Sequence, residues 1–229
     1  MYYCLFEQSG TFKNEIKKLG GVAKDFDIQN DYGETDIIID LYDEIERGYL
    51  ELNSIFDGMT PADYIIAFFP CTRFEAQINM AMLGNQYQQE KWDDYKKLNY
   101  DLYLHKQMSN NYELITKLVL ICIRKNIPLV IENPSSPLHY LTRNWALKPK
   151  VIDLDRRANG DYYKKPTQYW FINCEPKNNL VFESIDWCEY RKTTDNRSDI
   201  KKRSEIHPQY ANRFIRQYIA DYVDGEWVL

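Results

Sequence analysis

The chain is 229 residues long, 44% hydrophobic, with a formal net charge of −5. That length and apolar content suit one domain with a substantial core. The acidic balance excludes a broadly basic nucleic-acid coat but leaves room for a local basic patch.

In chain order, residues 2–6 form a short strand and residues 7–10 a turn. Residues 11–19 make a helix with Phe12, Ile16 and Leu19 on one face, stopped by Gly20-Gly21. Strands follow at 22–26 and 36–41. The second of these contains Ile37-Ile38-Ile39, as expected of a strand buried on both faces. Residues 43–56 are amphipathic and helical, and 63–69 form a fourth strand. Residues 75–110, rich in Gln, Lys and Asp, read as a helical insertion. Residues 112–125 give an apolar helix and 129–131 a fifth strand. Further strands are expected at 151–154 and 168–172, loop over 174–203, and a closing helix over 208–223. Strands separated by helices imply an α/β fold with a doubly wound, mainly parallel sheet.

Five cysteines (Cys4, Cys71, Cys122, Cys174, Cys188) lack CxxC spacing, and the three histidines lie away from any cysteine pair. This reads as reduced thiols in a cytoplasmic protein without a structural zinc. The first six residues have neither the length nor the basic start of a secretory leader. No apolar run approaches the ~20 residues that span a bilayer, so no membrane partner is expected.

Two apolar runs each deliver one reactive side chain. Residues 64–69 end in Pro70-Cys71-Thr72-Arg73, and residues 129–131 end in Glu132-Asn133-Pro134. A buried cysteine is usually a small hydrophobe, and a glutamate closing an apolar run is costly unless it binds something. Together they point to a thiol and a carboxylate at the carboxyl edge of a parallel sheet, where open α/β folds bind ligands. Arg73 beside the thiol would lower its pKa and hold a phosphate.

The small-residue turn after the first strand, with Gly10, lets a ligand approach a helix N-terminus, although an ordinary turn explains it equally well. Asp25, after the second strand, suits ribose hydroxyls, and Phe26 suits an adenine face. Asp40 either accepts from an adenine amino group or caps the next helix. Arg156-Arg157 and Lys164-Lys165 flank a Gly-Asp-Tyr-Tyr turn, a pattern that can hold a phosphodiester and stack a base or simply form a solvated loop. Arg197, Lys201, Lys202 and Arg203 form a second basic tract.

Taken in order, residues 5–12, Asp25-Phe26-Asp27, Asp40, Phe69-Pro70-Cys71, Glu132-Asn133-Pro134 and Lys165-Pro166-Thr167 with Trp170 resemble the DNA cytosine-5 methyltransferases. The compact versions of phages and mobile elements are the nearest in pattern. The resemblance runs from residue 2 to about residue 222, and Arg203-Ser204-Glu205-Ile206-His207-Pro208 is similar to the family's last motif.

The resemblance implies the S-adenosylmethionine-dependent methyltransferase version of the Rossmann-like fold, with S-adenosyl-L-methionine as cofactor and DNA as partner, single-stranded or non-specific binding included. It implies that Cys71 attacks C6 of a flipped-out cytosine while Glu132 hydrogen-bonds the base, so that C5 accepts a methyl group. By motif match, Phe6, Gly10 and Pro70 line the cofactor site, Asp25 holds its ribose, Phe26 stacks on adenine and Asp40 meets the adenine amino group. Arg73, Asn133, Arg156, Arg157 and Lys165 fall on the substrate side, with Asn133 supporting the Glu132 loop.

Gln8 stands where the family has glycine, and Phe69 replaces a proline. Residues 174–203 offer only a small loop where a target recognition domain would lie. Specificity would then be low, come from residues 75–108, or need a protein partner. Two other readings fit the same residues: an inactive or partner-dependent nucleotide- or nucleic-acid-binding protein, and methylation of a base in RNA or a free nucleotide.

Overall fold

A computed structural model describes residues 1–75, 77–86, 89–186, 188–191 and 204–229. Seven strands form one sheet: β1 (Tyr2–Leu5), β2 (Ala23–Asp27), β3 (Ile37–Ile38), β4 (Tyr64–Phe68), β5 (Leu129–Pro134), β6 (Val151–Asp153) and β7 (Thr167–Ile172). Their order is β3-β2-β1-β4-β5-β7-β6. The first five strands run parallel; β7 is antiparallel to both β5 and β6. The chain is therefore α/β with a mostly parallel sheet, compatible with a Rossmann-like fold.

Period-2 alternation sorts the central strands onto two cores. Leu5, Ile65, Ala67, Leu129 and Ile131 face helices α2 (Leu41–Tyr49) and α4 (Asp94–Lys125). Cys4, Ile66 and Val130 face α1 (Thr11–Lys18) and α5 (Pro208–Tyr218). Strands buried on both faces explain the unbroken apolar runs in the sequence.

Several expectations change. β3 is two residues long because Asp40, expected inside that strand, caps α2 by accepting from the backbone N–H of Tyr42 at 2.9 Å. The insertion does not end before the apolar helix: α4 is one 32-residue helix, and α3 (Gln77–Met82) packs on its first half through Ile78, Ala81 and Leu104. The closing helix stops at Tyr218. A hairpin follows, β8 (Asp221–Val223) and β9 (Glu226–Val228), turned by Asp224-Gly225 with both residues at positive φ. The basic tract Arg197, Lys201, Lys202 and Arg203 lies outside the described residues. Among those described, no helix is long and apolar enough to cross a membrane.

Candidate active site

The sheet order reverses between β1 and β4, and the carboxyl ends of β1, β2, β4 and β5 open on that side. This is where a doubly wound sheet leaves a crevice for ligands. Phe68 of β4 pairs in register with Glu132 of β5. Cys71 follows three residues after Phe68, so thiol and carboxylate are delivered by adjacent strands to one edge.

Cys71 sits in a tight turn: its carbonyl accepts the N–H groups of Phe74 at 2.8 Å and Glu75 at 3.2 Å. Its Sγ donates to Glu75 Oε1 at 3.1 Å. Burial pushes the thiol up to about 12; Lys165 pulls it down, while Glu75 and Glu132 push it further up. Lys165, from the segment before β7, is thus a cation acting on this sulfur.

Glu132 is buried, with Oε1 3.8 Å from the Arg156 guanidinium. That oxygen has no hydrogen-bond donor among the described residues. Arg156 is itself buried, pairs with Asp161 Oδ2 at 2.5 Å, and lies 4.8 Å from the Tyr210 ring centroid. The expectation of an arginine ready for a phosphodiester is corrected: Arg156 is enclosed behind Glu132. Arg157 points elsewhere and bonds Asp155.

Asn133 is fully buried and does not face the crevice. Its Nδ2 donates to the carbonyls of Phe69 at 3.2 Å and Glu132 at 3.0 Å. Its Oδ1 is 3.0 Å from His139 Nε2, and the other ring nitrogen of His139 is 3.4 Å from Gln168 Nε2. Gln168 in turn donates to the Pro134 carbonyl and to Thr142 Oγ1. Burial lowers His139 to about 4, so the ring is neutral and bridges Asn133 and Gln168. Asn133 is a positioning residue: it ties the Cys71 turn to the strand that carries Glu132.

The other half of the edge differs from expectation. Asp25 is fully buried inside β2; its Oδ2 is 3.0 Å from Lys13 Nζ and its Oδ1 accepts the Asp36 N–H at 2.6 Å. Phe26 is in the core, stacked on Tyr3. β2 extends one residue further than expected, so the end of the strand is Asp27, followed by the exposed Ile28. The acid and apolar pair at the carboxyl end of β2 is therefore Asp27-Ile28, with Asp27 itself buried and its Oδ1 accepting the Gln29 N–H at 2.8 Å. The signal available in the sequence was parity: Asp25 and Asp27 share a face, and the one nearer the strand end reaches the edge.

Phe6 closes β1 at φ 60° and packs on Phe69, with ring centroids 4.7 Å apart. A bulky residue at positive φ is uncommon, and such backbone collects at ligand sites. Gly10 has φ 63° and begins α1; a Cβ there would lie 3.1 Å from Lys13 and 3.3 Å from Glu34, so the turn requires glycine. Gln8 Nε2 donates to Gln29 at 2.8 Å, while its buried Oε1 has no donor among the described residues. Glu7, absent from the sequence-derived set, accepts the N–H groups of Phe12 at 2.7 Å and Lys13 at 3.3 Å. Burial raises it to about 7. Asp40 is exposed at the start of α2, and Pro70 is exposed beside Cys71.

No family model matches the chain, and no curated protein matches it closely.

Proposed function

We propose that the chain is a methyltransferase that adds a methyl group to C5 of cytosine in DNA through a covalent Cys71 adduct. The observation that carries this reading is the delivery of Cys71 and the buried Glu132 carboxylate to one edge by adjacent strands paired in register. In this reading the Cys71 thiol gives its proton to water and sulfur bonds to C6. The C5=C6 pair then shifts toward C5, with Glu132 accepting from the base amino group and orienting the ring. S-adenosylmethionine, when bound, would supply the methyl electrophile. Transfer of the C5 proton to water, with the C–S bond breaking as the C5=C6 bond re-forms, restores the aromatic base and the Cys71 sulfur.

The crevice beside β1 and β2 suits a nucleoside without phosphates. Glu7 already satisfies the two N–H groups at the start of α1 that a pyrophosphate would use. Asp27 offers a carboxylate for ribose hydroxyls, Ile28 and Phe6 offer apolar faces, and the orphaned Gln8 Oε1 offers an acceptor for an ammonium group. The donor set thus fits S-adenosylmethionine better than a dinucleotide. The sheet is compatible with the methyltransferase version of the fold.

Methylome sequencing of DNA from cells expressing the chain tests the reading. New 5-methylcytosine that vanishes in Cys71→Ala supports it. An unchanged methylome, with the protein folded and S-adenosylhomocysteine bound, moves the substrate to RNA or a free nucleotide. The acidic chain without a described recognition domain favours that second reading.

A further inference from the structure

Among the described residues Cys71 has one hydrogen-bond partner through its sulfur, the Glu75 carboxylate at 3.1 Å. A carboxylate is a poor neighbour for a nucleophilic thiol, because it opposes the thiolate electrostatically. Three titratable groups act on this sulfur from the elements around it: Glu75 in the same turn, Glu132 from β5, and Lys165 from the segment before β7. Two of the three favour the protonated thiol. The sulfur held this way is in a resting state.

Glu75 also stands at a mechanical boundary. On its N-terminal side Phe74 is fixed: it is fully buried, stacks on Tyr140, and its carbonyl accepts the Tyr140 N–H at 2.8 Å. On its C-terminal side Ile78, whose N–H donates to the Glu75 carbonyl at 3.0 Å, belongs to the small separate core of α3 and the first half of α4. Glu75 is thus the last residue of a turn that is anchored to the sheet, ahead of α3 and its small core.

We propose that Glu75 is a latch on Cys71: its carboxylate retains the thiol proton in the free protein, and loss of that hydrogen bond when the nucleic acid is engaged frees the sulfur. The latch rests on the reading of Cys71 as a nucleophile. Glu75 acts through Cys71 and is a positioning residue, not a catalytic one.

Iodoacetamide alkylation of the full chain, followed peptide by peptide so that Cys71 is read apart from Cys174, tests the latch without substrate or cofactor. Glu75→Gln and Glu75→Ala should each lower the pH midpoint of Cys71 alkylation by about one unit. The rate at pH 8 should rise about threefold, the gain in thiolate being partly offset by lower nucleophilicity. Glu75→Asp, which keeps the charge, should stay near wild type. An unchanged midpoint in both neutral variants, or slower alkylation, overturns the latch. In a second arm, a duplex containing 5-fluorocytosine is offered with S-adenosylmethionine. Glu75→Gln should form the Cys71 adduct at least as fast as wild type, and a tenfold slower adduct would make Glu75 a required base and overturn the latch. If neither protein forms an adduct while the alkylation midpoint still shifts, the latch stands and the methyltransferase reading fails.

Discussion

Around β4 and β5 the Cys71 turn is backed by neutral hydrogen bonds, running from the Phe69 carbonyl through Asn133, His139 and Gln168 to Thr142, and ions enter only behind Glu132, where Arg156 meets Asp161. Around β1 and β2 the backing is an ion pair: Lys13 lies 3.0 Å from Asp25 and 3.4 Å from Asp36 while also donating to the Glu34 carbonyl. A neutral network fixes geometry whatever the ionic conditions. A charged one holds the β2–β3 loop firmly only while both signs are present. The Cys71 turn is built for position, whereas Glu132 with Arg156 and Asp161, like the half assigned to cofactor binding, is built on buried ions.

The sharpest way to break this contrast is Lys13→Met. It strands Asp25 without its partner in the interior and should cost about 4 kcal/mol in urea unfolding. A loss below about 1 kcal/mol would mean that the ion pair does not hold this half together.

Next in size is a pair of opposed pH responses. Glu7 is raised to about 7, so its contribution is full below the ordinary carboxylate range and is lost as pH rises toward 7. His139 is lowered to about 4, so protonation of the unfolded chain removes stability as pH falls from 6.5 toward 4. Each amounts to about 3 kcal/mol, and between pH 5 and 6 they oppose. Glu7→Gln should leave stability that rises with pH in this window, and His139→Gln stability that falls. Parallel slopes in the two variants would remove the contrast.

Asn133→Ala leaves several buried groups unpaired and should cost about 2 kcal/mol. It should also slow adduct formation, because the Cys71 turn loses its tie to β5. The smallest effect expected is on binding. Asp27→Ala should weaken S-adenosylhomocysteine about tenfold by calorimetry, or about 1.4 kcal/mol, with little change in stability. Equal binding by Asp27→Ala and wild type would return the ribose role to another residue.

The sequence was most legible where chemistry and periodicity coincide. The runs ending in Cys71 and Glu132 became β4 and β5 because strands buried on both faces leave few alternatives. Asp25 was misplaced because an aspartate inside a strand looks like an aspartate ending one until its partner is known. Lys13, ten residues before β2, is that partner. Arg156 read as a surface cation for the same reason, its counter-charges Asp161 and Glu132 being supplied only by the fold. The C-terminal hairpin was legible in Asp224-Gly225 but was absorbed into the apolar pattern of the preceding helix. Glu75 carried no motif; only the turn at Cys71 brings its carboxylate to the sulfur.

Covalent trapping tests the central claim most directly. The chain is mixed with S-adenosylmethionine and a duplex in which cytosine is replaced by 5-fluorocytosine, and the protein–DNA adduct is mapped by peptide mass. The account predicts a single adduct on Cys71, lost in Cys71→Ala and strongly slowed in Glu132→Gln. An adduct on another cysteine, or one formed equally well without Glu132, would contradict it.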